Sequence, residues 1–193
     1  GCQKLTVASV EQKYYMVNAS DRLALLTRLI EVAPIDSALV FARTRTGTTE
    51  LANALIARGF PADVLNGDLN QETREAVLKR FRDGLTKVLV ATDVAARGLD
   101  IDHISHVFNY ELPQDAEVYV HRIGRTGRAG KAGMAISLVT PGERWFIRKI
   151  EAYTKQEMTP ATIPTEQQIQ DQRDQRLVEQ MQKWLRRGRC QRE

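Results

Sequence analysis

Along the chain the spacing of apolar positions changes period several times, and each change marks a new element. In DRLALLTRLIEVAP, residues 21–34, apolar residues recur at helical intervals, with Ser20 as candidate cap and Pro34 as stop. A short strand is predicted before it, at Lys13 to Val17. SALVFA, Ser37 to Ala42, is an unbroken apolar run of the kind a strand buried on both faces shows, and TTELANALIARG continues at helical spacing to Gly59. The pair then repeats. ADVL leads into NQETREAVLKRFRDG, with Asn70 as cap and Gly84 as stop, and KVLVATD leads into a loop through Gly98 to His103. SHVFNY predicts a strand, AEVYVHRI a helix capped by Asp115, MAISLVT a last strand, and PGERWFIRKIEAY a helix beginning at Pro141.

Strands alternating with helical segments imply right-handed crossovers, and so a parallel sheet covered on both faces. The expected fold is α/β, a doubly wound parallel sheet flanked by helices, up to about Tyr153. The tail that follows is polar and Gln-rich, with Pro160 and Pro164 marking a linker and a helix starting near Thr165. In that helix Leu177, Val178, Met181, Trp184 and Leu185 share one face. That face needs cover, from this domain, from another segment or from a second copy of the chain.

Composition narrows the picture only modestly. The 193 residues are 42% hydrophobic and 27% charged, which is ordinary for a globular domain. A formal charge of +4 agrees with an anionic partner but does not separate an RNA binder from an enzyme. Cys2 and Cys190 lie at opposite ends, so neither a disulfide framework nor a Cys/His metal cluster is expected, and the chain reads as cytoplasmic. No apolar run approaches the roughly 18 residues of a membrane span, and the start lacks a signal peptide's apolar segment.

In an open parallel sheet, ligands collect beyond the carboxyl ends of the strands. The loops expected there are FARTRTG, NGDLNQETR, ATDVAARGLD and HRIGRTGR. Thr44, Arg45, Gly67, Asp68, Arg74 and Thr92 offer hydroxyls, backbone amides and guanidinium groups, the donors that contact a phosphate-sugar backbone without reading bases. In HRIGRTGRAGKAG, Arg122, Arg125, Arg128 and Lys131 recur at every third position, with Gly124, Gly127 and Gly130 allowing tight turns. Like charges so close repel unless something anionic is near, and guanidinium forks fit phosphate oxygens. A phosphate anhydride, a nucleic-acid backbone and a solvated basic turn all stay open on spacing alone. Two parts of a nucleotide hydrolase are missing: Gly130-Lys131 is followed by Ala132, so there is no GxxxxGK[ST] loop, and no adjacent acidic pair ends a strand to hold magnesium. The chain reads as half of a phosphoryl-transfer site.

These residues together resemble the C-terminal RecA-like domain of DEAD-box ATP-dependent RNA helicases of superfamily two, of the bacterial cold-shock type. LVFARTR resembles the family's fourth motif, GDLNQETR its QxxR element, VATDVAARGLDI its fifth and HRIGRTGR its sixth, with Asn66 standing where the family usually has His. The resemblance covers about Val10 to Tyr153 and implies a helicase C-terminal domain over residues 1–155. Residues 156–193 then form a linker and the start of a C-terminal extension able to join two copies.

By the same resemblance, Arg125 and Arg128 are arginine fingers for ATP, and Arg97 approaches the nucleotide. Asp100 hydrogen-bonds the ribose hydroxyls of ATP, Gly98 and His121 are cofactor-binding, and His121 also contacts the first domain and helps couple RNA to ATP. Arg122 pairs with Asp93 in a structural role. Thr44, Arg45, Gly67, Asp68, Arg74 and Thr92 meet RNA phosphates and 2′-hydroxyls. The implied partners are RNA, ATP with Mg2+ held mainly by an N-terminal RecA-like domain, that domain itself, and a second copy through the extension. The competing class is a non-enzymatic RNA-binding or dimerising module; a kinase or dehydrogenase is disfavoured because neither GxGxxG nor GK[ST] is present.

Overall fold

The computed structural model describes residues 9–99, 101–102, 104–128 and 132–190. Seven strands, β1 (Val10–Met16), β2 (Ala38–Phe41), β3 (Ala62–Leu65), β4 (Val88–Ala91), β5 (His106–Asn109), β6 (Gly133–Val139) and β7 (Thr159–Pro160), form one sheet in the order β3-β4-β2-β5-β6-β1-β7. Every pairing is parallel, as the strand–helix alternation predicts. The helices are α1 (Arg22–Val32), α2 (Arg45–Ala57), α3 (Gln71–Arg82), α4 (Asp93–Ala96), α5 (Ala116–Ile123), α6 (Arg144–Thr154) and α7 (Glu166–Cys190).

Both faces of the sheet are covered. Val77 and Phe81 of α3, Tyr119 and Ile123 of α5, and Phe146 and Ile150 of α6 pack with Leu39, Leu89 and Val107 on one side. Leu26 and Leu29 of α1 and Leu55 of α2 pack with Val40, Val90 and Phe108 on the other. Strands β2, β4 and β5 are therefore buried at every position; β2 and β4 read as continuous apolar runs for that reason, whereas β5 carries His106 and Asn109 at its two ends. From β2 the chain moves outward to β3, and from β5 it moves the opposite way to β6. The crevice of such a sheet opens between those two strands, outside their carboxyl ends.

Several local signals act as predicted. Asn70 Oδ1 accepts from Thr73 N at 2.8 Å, Asp115 Oδ1 accepts from Val118 N at 2.8 Å, and Gly59 and Gly84 sit at φ 86° and 74° past their helices. Elsewhere tertiary contacts override the local pattern. Strand β1 begins at Val10 rather than Lys13, because Val10 to Met16 align with Gly133 to Val139 of β6. Ser20 caps nothing: a 3-10 turn at Ala19–Asp21 precedes α1. Pro141–Glu143 is likewise a 3-10 turn, with α6 starting at Arg144. Helix α4 forms where a loop is predicted, its Ala95 N donating to Thr92 Oγ1 at 3.3 Å.

The tail is sewn to the sheet. Lys155 ends α6 in the left-handed conformation (φ 57°). Met158 is buried, Thr159 and Pro160 pair with Lys13 and Tyr14 of β1, and Ala161 N donates to Tyr14 O at 2.9 Å. Tyr119 on α5 donates its hydroxyl to Gln12 Oε1 of β1 at 2.7 Å, and Gln12 Nε2 donates to Gln156 Oε1 at 2.9 Å, so one buried chain links α5, β1 and the tail. Burial raises the Tyr119 pKa well above the ordinary phenol value, which keeps it a donor. Helix α7 docks on α1 through buried Ile169, Arg173 forked onto the Glu31 carboxylate and Arg176 Nη2 on Ala33 O at 3.1 Å. At the opposite margin, Asp63 of β3 accepts from Arg80 Nε and Nη2, both at 3.1 Å, and from Thr86 Oγ1 at 2.8 Å.

Gly133, the first residue of β6, presses against the loop that carries the repeated arginines. A Cβ there would overlap Gly127 N and Thr126 Oγ1. Gly133→Ala is expected to lower unfolding stability by about 1–3 kcal/mol, read from the urea midpoint, because backbone rather than a flexible side chain must yield.

Candidate functional site

Arg122, on the inner face of α5, is the largest fully buried side chain, 2% exposed. Its Nε and Nη2 donate to Asp93 Oδ1 and Oδ2 at 2.6 and 2.8 Å, and its Nη1 donates to Glu111 O at 2.6 Å and Asn109 Oδ1 at 3.3 Å. The guanidinium carbon lies 4.9 Å from the centre of the Phe41 ring. The charge is thus met by a forked carboxylate, a carbonyl, an amide and a π face, the compensation a buried guanidinium needs. The Arg122 guanidinium is thus engaged within the fold, where it joins the ends of β2 and β5 to α4 and α5.

Beside it a cleft of about 650 Å3 opens at the carboxyl ends of the strands, with Arg97, Gly98, His121, Arg125 and Arg128 in its lining. The three arginines are held differently. Arg97 is exposed at the end of α4, where Gly98 at φ 75° turns the chain away. Arg125 donates Nη2 to Ala96 O at 2.7 Å and Nη1 to Leu99 O. Arg128 donates Nε to Gly124 O at 2.6 Å and lies 3.5 Å from Asp102 Oδ1. Gly127 takes φ 70° between them, whereas Gly124 is in the ordinary right-handed region. His121 is exposed with Nε2 3.7 Å from Glu117 Oε1. Asp100, Gly130 and Lys131 lie outside the described residues. Among the described residues no cluster of His, Cys, Asp or Glu is placed to hold a metal ion, and no helix is long and apolar enough to cross a membrane.

A second group of candidates lies at the neighbouring ends of β2, β3 and β4. Thr44 caps α2, its Oγ1 accepting from Gly47 N at 2.9 Å, and Thr92 caps α4. Arg45 and Asp68 form an exposed ion pair at 2.9 Å, next to exposed Gly67. Arg74 on α3 donates Nη2 to Ala95 O at 3.3 Å. The two groups of candidates meet at α4: Thr92 and Asp93 open it, and the carbonyls of Ala95 and Ala96 receive Arg74 and Arg125.

Three contributors are absent from the site residues that the sequence proposes. Asn66, 3% exposed, donates Nδ2 to Thr48 Oγ1 at 3.1 Å and accepts on Oδ1 from Asp68 N at 2.9 Å, fixing the Gly67-Asp68 turn against α2. Asn109 and Glu111 complete the shell of Arg122, and Glu111 Oε1 also accepts from Arg43 N at 3.1 Å. Asn66 was visible in the sequence as a departure from a motif; the other two carry no local signal, since one is met by its amide and the other by a backbone carbonyl.

The chain belongs to the helicase conserved C-terminal domain family, which it matches over residues 21–130. Its relatives narrow this to the C-terminal RecA-like domain of DEAD-box proteins. It is 48% identical over 163 residues to the ATP-dependent RNA helicase CshA of Listeria monocytogenes, covering 84% of this chain and 31% of that protein. It superposes on the Escherichia coli DEAD-box protein SrmB, solved bound to regulator of ribonuclease activity A, with TM-score 0.75 and 40% identity, covering 80% and 91% of the two chains. It also superposes on Saccharomyces cerevisiae Dbp5 bound to RNA and ADP BeF3 with TM-score 0.76 and 35% identity, covering 88% and 45%. The chain spans about a third of the length of relatives such as CshA.

Replacing Asp93 with Ala leaves the Arg122 charge buried without its fork. The expected cost is about 3–5 kcal/mol of unfolding stability, with a smaller loss for Asp93→Asn, measured by urea denaturation.

Proposed function

We propose that the chain is the C-terminal half of an ATP-dependent RNA helicase, completing a nucleotide site whose triphosphate and Mg2+ are held mainly by an N-terminal RecA-like domain. The observation that carries this reading is the cleft wall of Arg97, Arg125 and Arg128 beside an internally compensated Arg122. When the two domains close, Arg125 and Arg128 act as fingers on the γ-phosphoryl group as water attacks and the bond to the β-phosphate breaks. Charge spreading over the transferred oxygens is what such cations stabilise. Arg97 and His121 face the first domain, while Asp100 and Gly98 meet the ribose.

Charge balance in the cleft supports a half-site. Its guanidinium groups face the carboxylates of Asp93, Asp102, Asp115 and Glu117 in the same lining, so this wall alone offers a triphosphate little net attraction. Thr44, Arg45, Gly67, Asp68, Arg74 and Thr92 form the RNA-facing edge, contacting phosphates and 2′-hydroxyls rather than bases. Closure over ATP bends one RNA strand away from its complement, and hydrolysis reopens the cleft.

A second feature favours association of two copies. Leu177, Val178, Met181, Trp184 and Leu185 of α7 are all more than half exposed. By helical geometry their stripe is centred about 110° around the axis from Ile169, Arg173 and Arg176, which contact the chain's own domain. α7 can thus stay docked on α1 while this stripe meets a second copy, burying apolar surface of both.

In the two-domain protein, Arg128→Ala is expected to lower ATP turnover by about 10³-fold or more while RNA affinity changes by less than about threefold. If RNA binding falls and turnover holds, the chain is a binding module instead. The 193-residue chain alone should turn over ATP no faster than buffer controls. For the tail, light scattering should show Trp184→Asp as a smaller species than the parent; equal masses would rule out the second-copy role.

A further inference from the structure

We propose that the outer face of α6 is an additional binding surface for single-stranded RNA, with Trp145 and Tyr153 as stacking planes and Arg144, Arg148 and Lys149 as phosphate contacts. The proposal extends the RNA reading above but rests on different residues. Around α6 the buried side is made by Phe146, Ile147 and Ile150. The exposed residues of α6 are Arg144, Trp145, Arg148, Lys149, Ala152 and Tyr153: three cations, two aromatic rings and an alanine. Glu151 lies at the margin of this face beside Arg144, half-buried, and its carboxylate accepts from Met158 N at 3.0 Å.

The aromatic rings are costly to leave in water unless something covers them. Trp145 is 61% exposed and Tyr153 is 56% exposed. The indole meets the buried Phe146 ring edge to face, with centroids 5.5 Å apart, and Lys149 Nζ lies 5.9 Å from its centre. One edge of the indole is thereby held against the core while much of its surface stays open, a plane set before any ligand arrives. Trp145 and Tyr153 are eight residues apart, about 12 Å along the axis, which matches the rise of roughly three stacked nucleotides. Cations interleaved with open aromatic faces are what single strands bind without sequence preference, each base supplying a π face and each linkage a charge.

The surface is also joined to the RNA-facing edge. α6 starts at the carboxyl end of β6, and Glu143, in the turn before it, lies 3.5 Å from Arg43 Nη2. Arg43 immediately precedes Thr44 and Arg45 in the loop after β2. The Arg43–Glu143 pair thus places the start of α6 next to the loop that carries Thr44 and Arg45.

The test uses Trp145 as its own reporter, in the full 193-residue chain carrying Trp184→Phe, titrated with a short oligouridylate. Saturable quenching is expected. In fluorescence anisotropy of labelled oligouridylate, Trp145→Ala should weaken binding roughly tenfold. Arg148→Gln with Lys149→Gln should reduce the slope of log affinity against log salt by about 1.4, two single-strand phosphate contacts' worth. Unchanged affinity and salt slope in these variants, with binding still sensitive to Arg74→Ala, would overturn the α6 surface and leave the helicase reading standing. Quenching by polyglutamate with affinity equal to or above that of oligouridylate would overturn it in favour of an acidic protein segment. Absence of RNA binding in both the chain and the two-domain protein would bring down the helicase reading as well.

Discussion

Everything at the working edge of this domain depends on burying one full positive charge without leaving it unmet. Arg122 takes its hydrogen-bond partners from two separate stretches, Asp93 at the start of α4 and Asn109 with Glu111 at and just beyond the end of β5, and it rests on Phe41 at the end of β2. Each partner is useless to it unless the others are in place, because the desolvation of a guanidinium is repaid only by a complete set. The network therefore ties the switch point of the sheet to the helix that carries the arginine loop. It also fixes where that loop begins, and so where Arg125 and Arg128 emerge.

The same economy governs α4. Four residues long, it has no core of its own beyond Ala95 and Ala96, and is held by a threonine cap, by Asp93 on Arg122, and by two arginines on its carbonyls. One of those arginines belongs to the α3 side and the other to the cleft. A shift of α4 cannot relax one contact while preserving the rest, so the two halves of the proposed site share a single mechanical part.

Much of this was legible in the sequence, and what was not has physical reasons. Strands β2 and β4 announce themselves because burial on both faces leaves them without polar residues, and Asn70 and Asp115 are caps in the places their types suggest. Motif spacing located every candidate loop. Local pattern failed where partners come from afar: β1 is longer than its own residues require because β6 offers matching register, and β7 hides in a proline-containing linker because an edge strand tolerates a missing amide hydrogen. Equal spacing of Arg122, Arg125 and Arg128 suggested three equivalent cations, yet their environments diverge, from wholly buried to half exposed, since helical periodicity turns the first inward while the other two follow the chain out of α5. Asn109 and Glu111 gave no warning because a hydrogen bond from a distant arginine leaves no trace in the acceptor's neighbours.

The two margins of the sheet end in different ways, with a common outcome. On one side the outermost strand is two residues long and contains Pro160, which has no amide hydrogen to offer a neighbour. On the other, Asp63 places a carboxylate, already engaged by Arg80 and Thr86, within the edge strand β3. Neither border offers an incoming strand a long, uncharged row of free backbone groups. Among the described residues, growth of the sheet by strand addition is thus disfavoured at both margins. The surfaces this leaves for a partner are loops and helix faces.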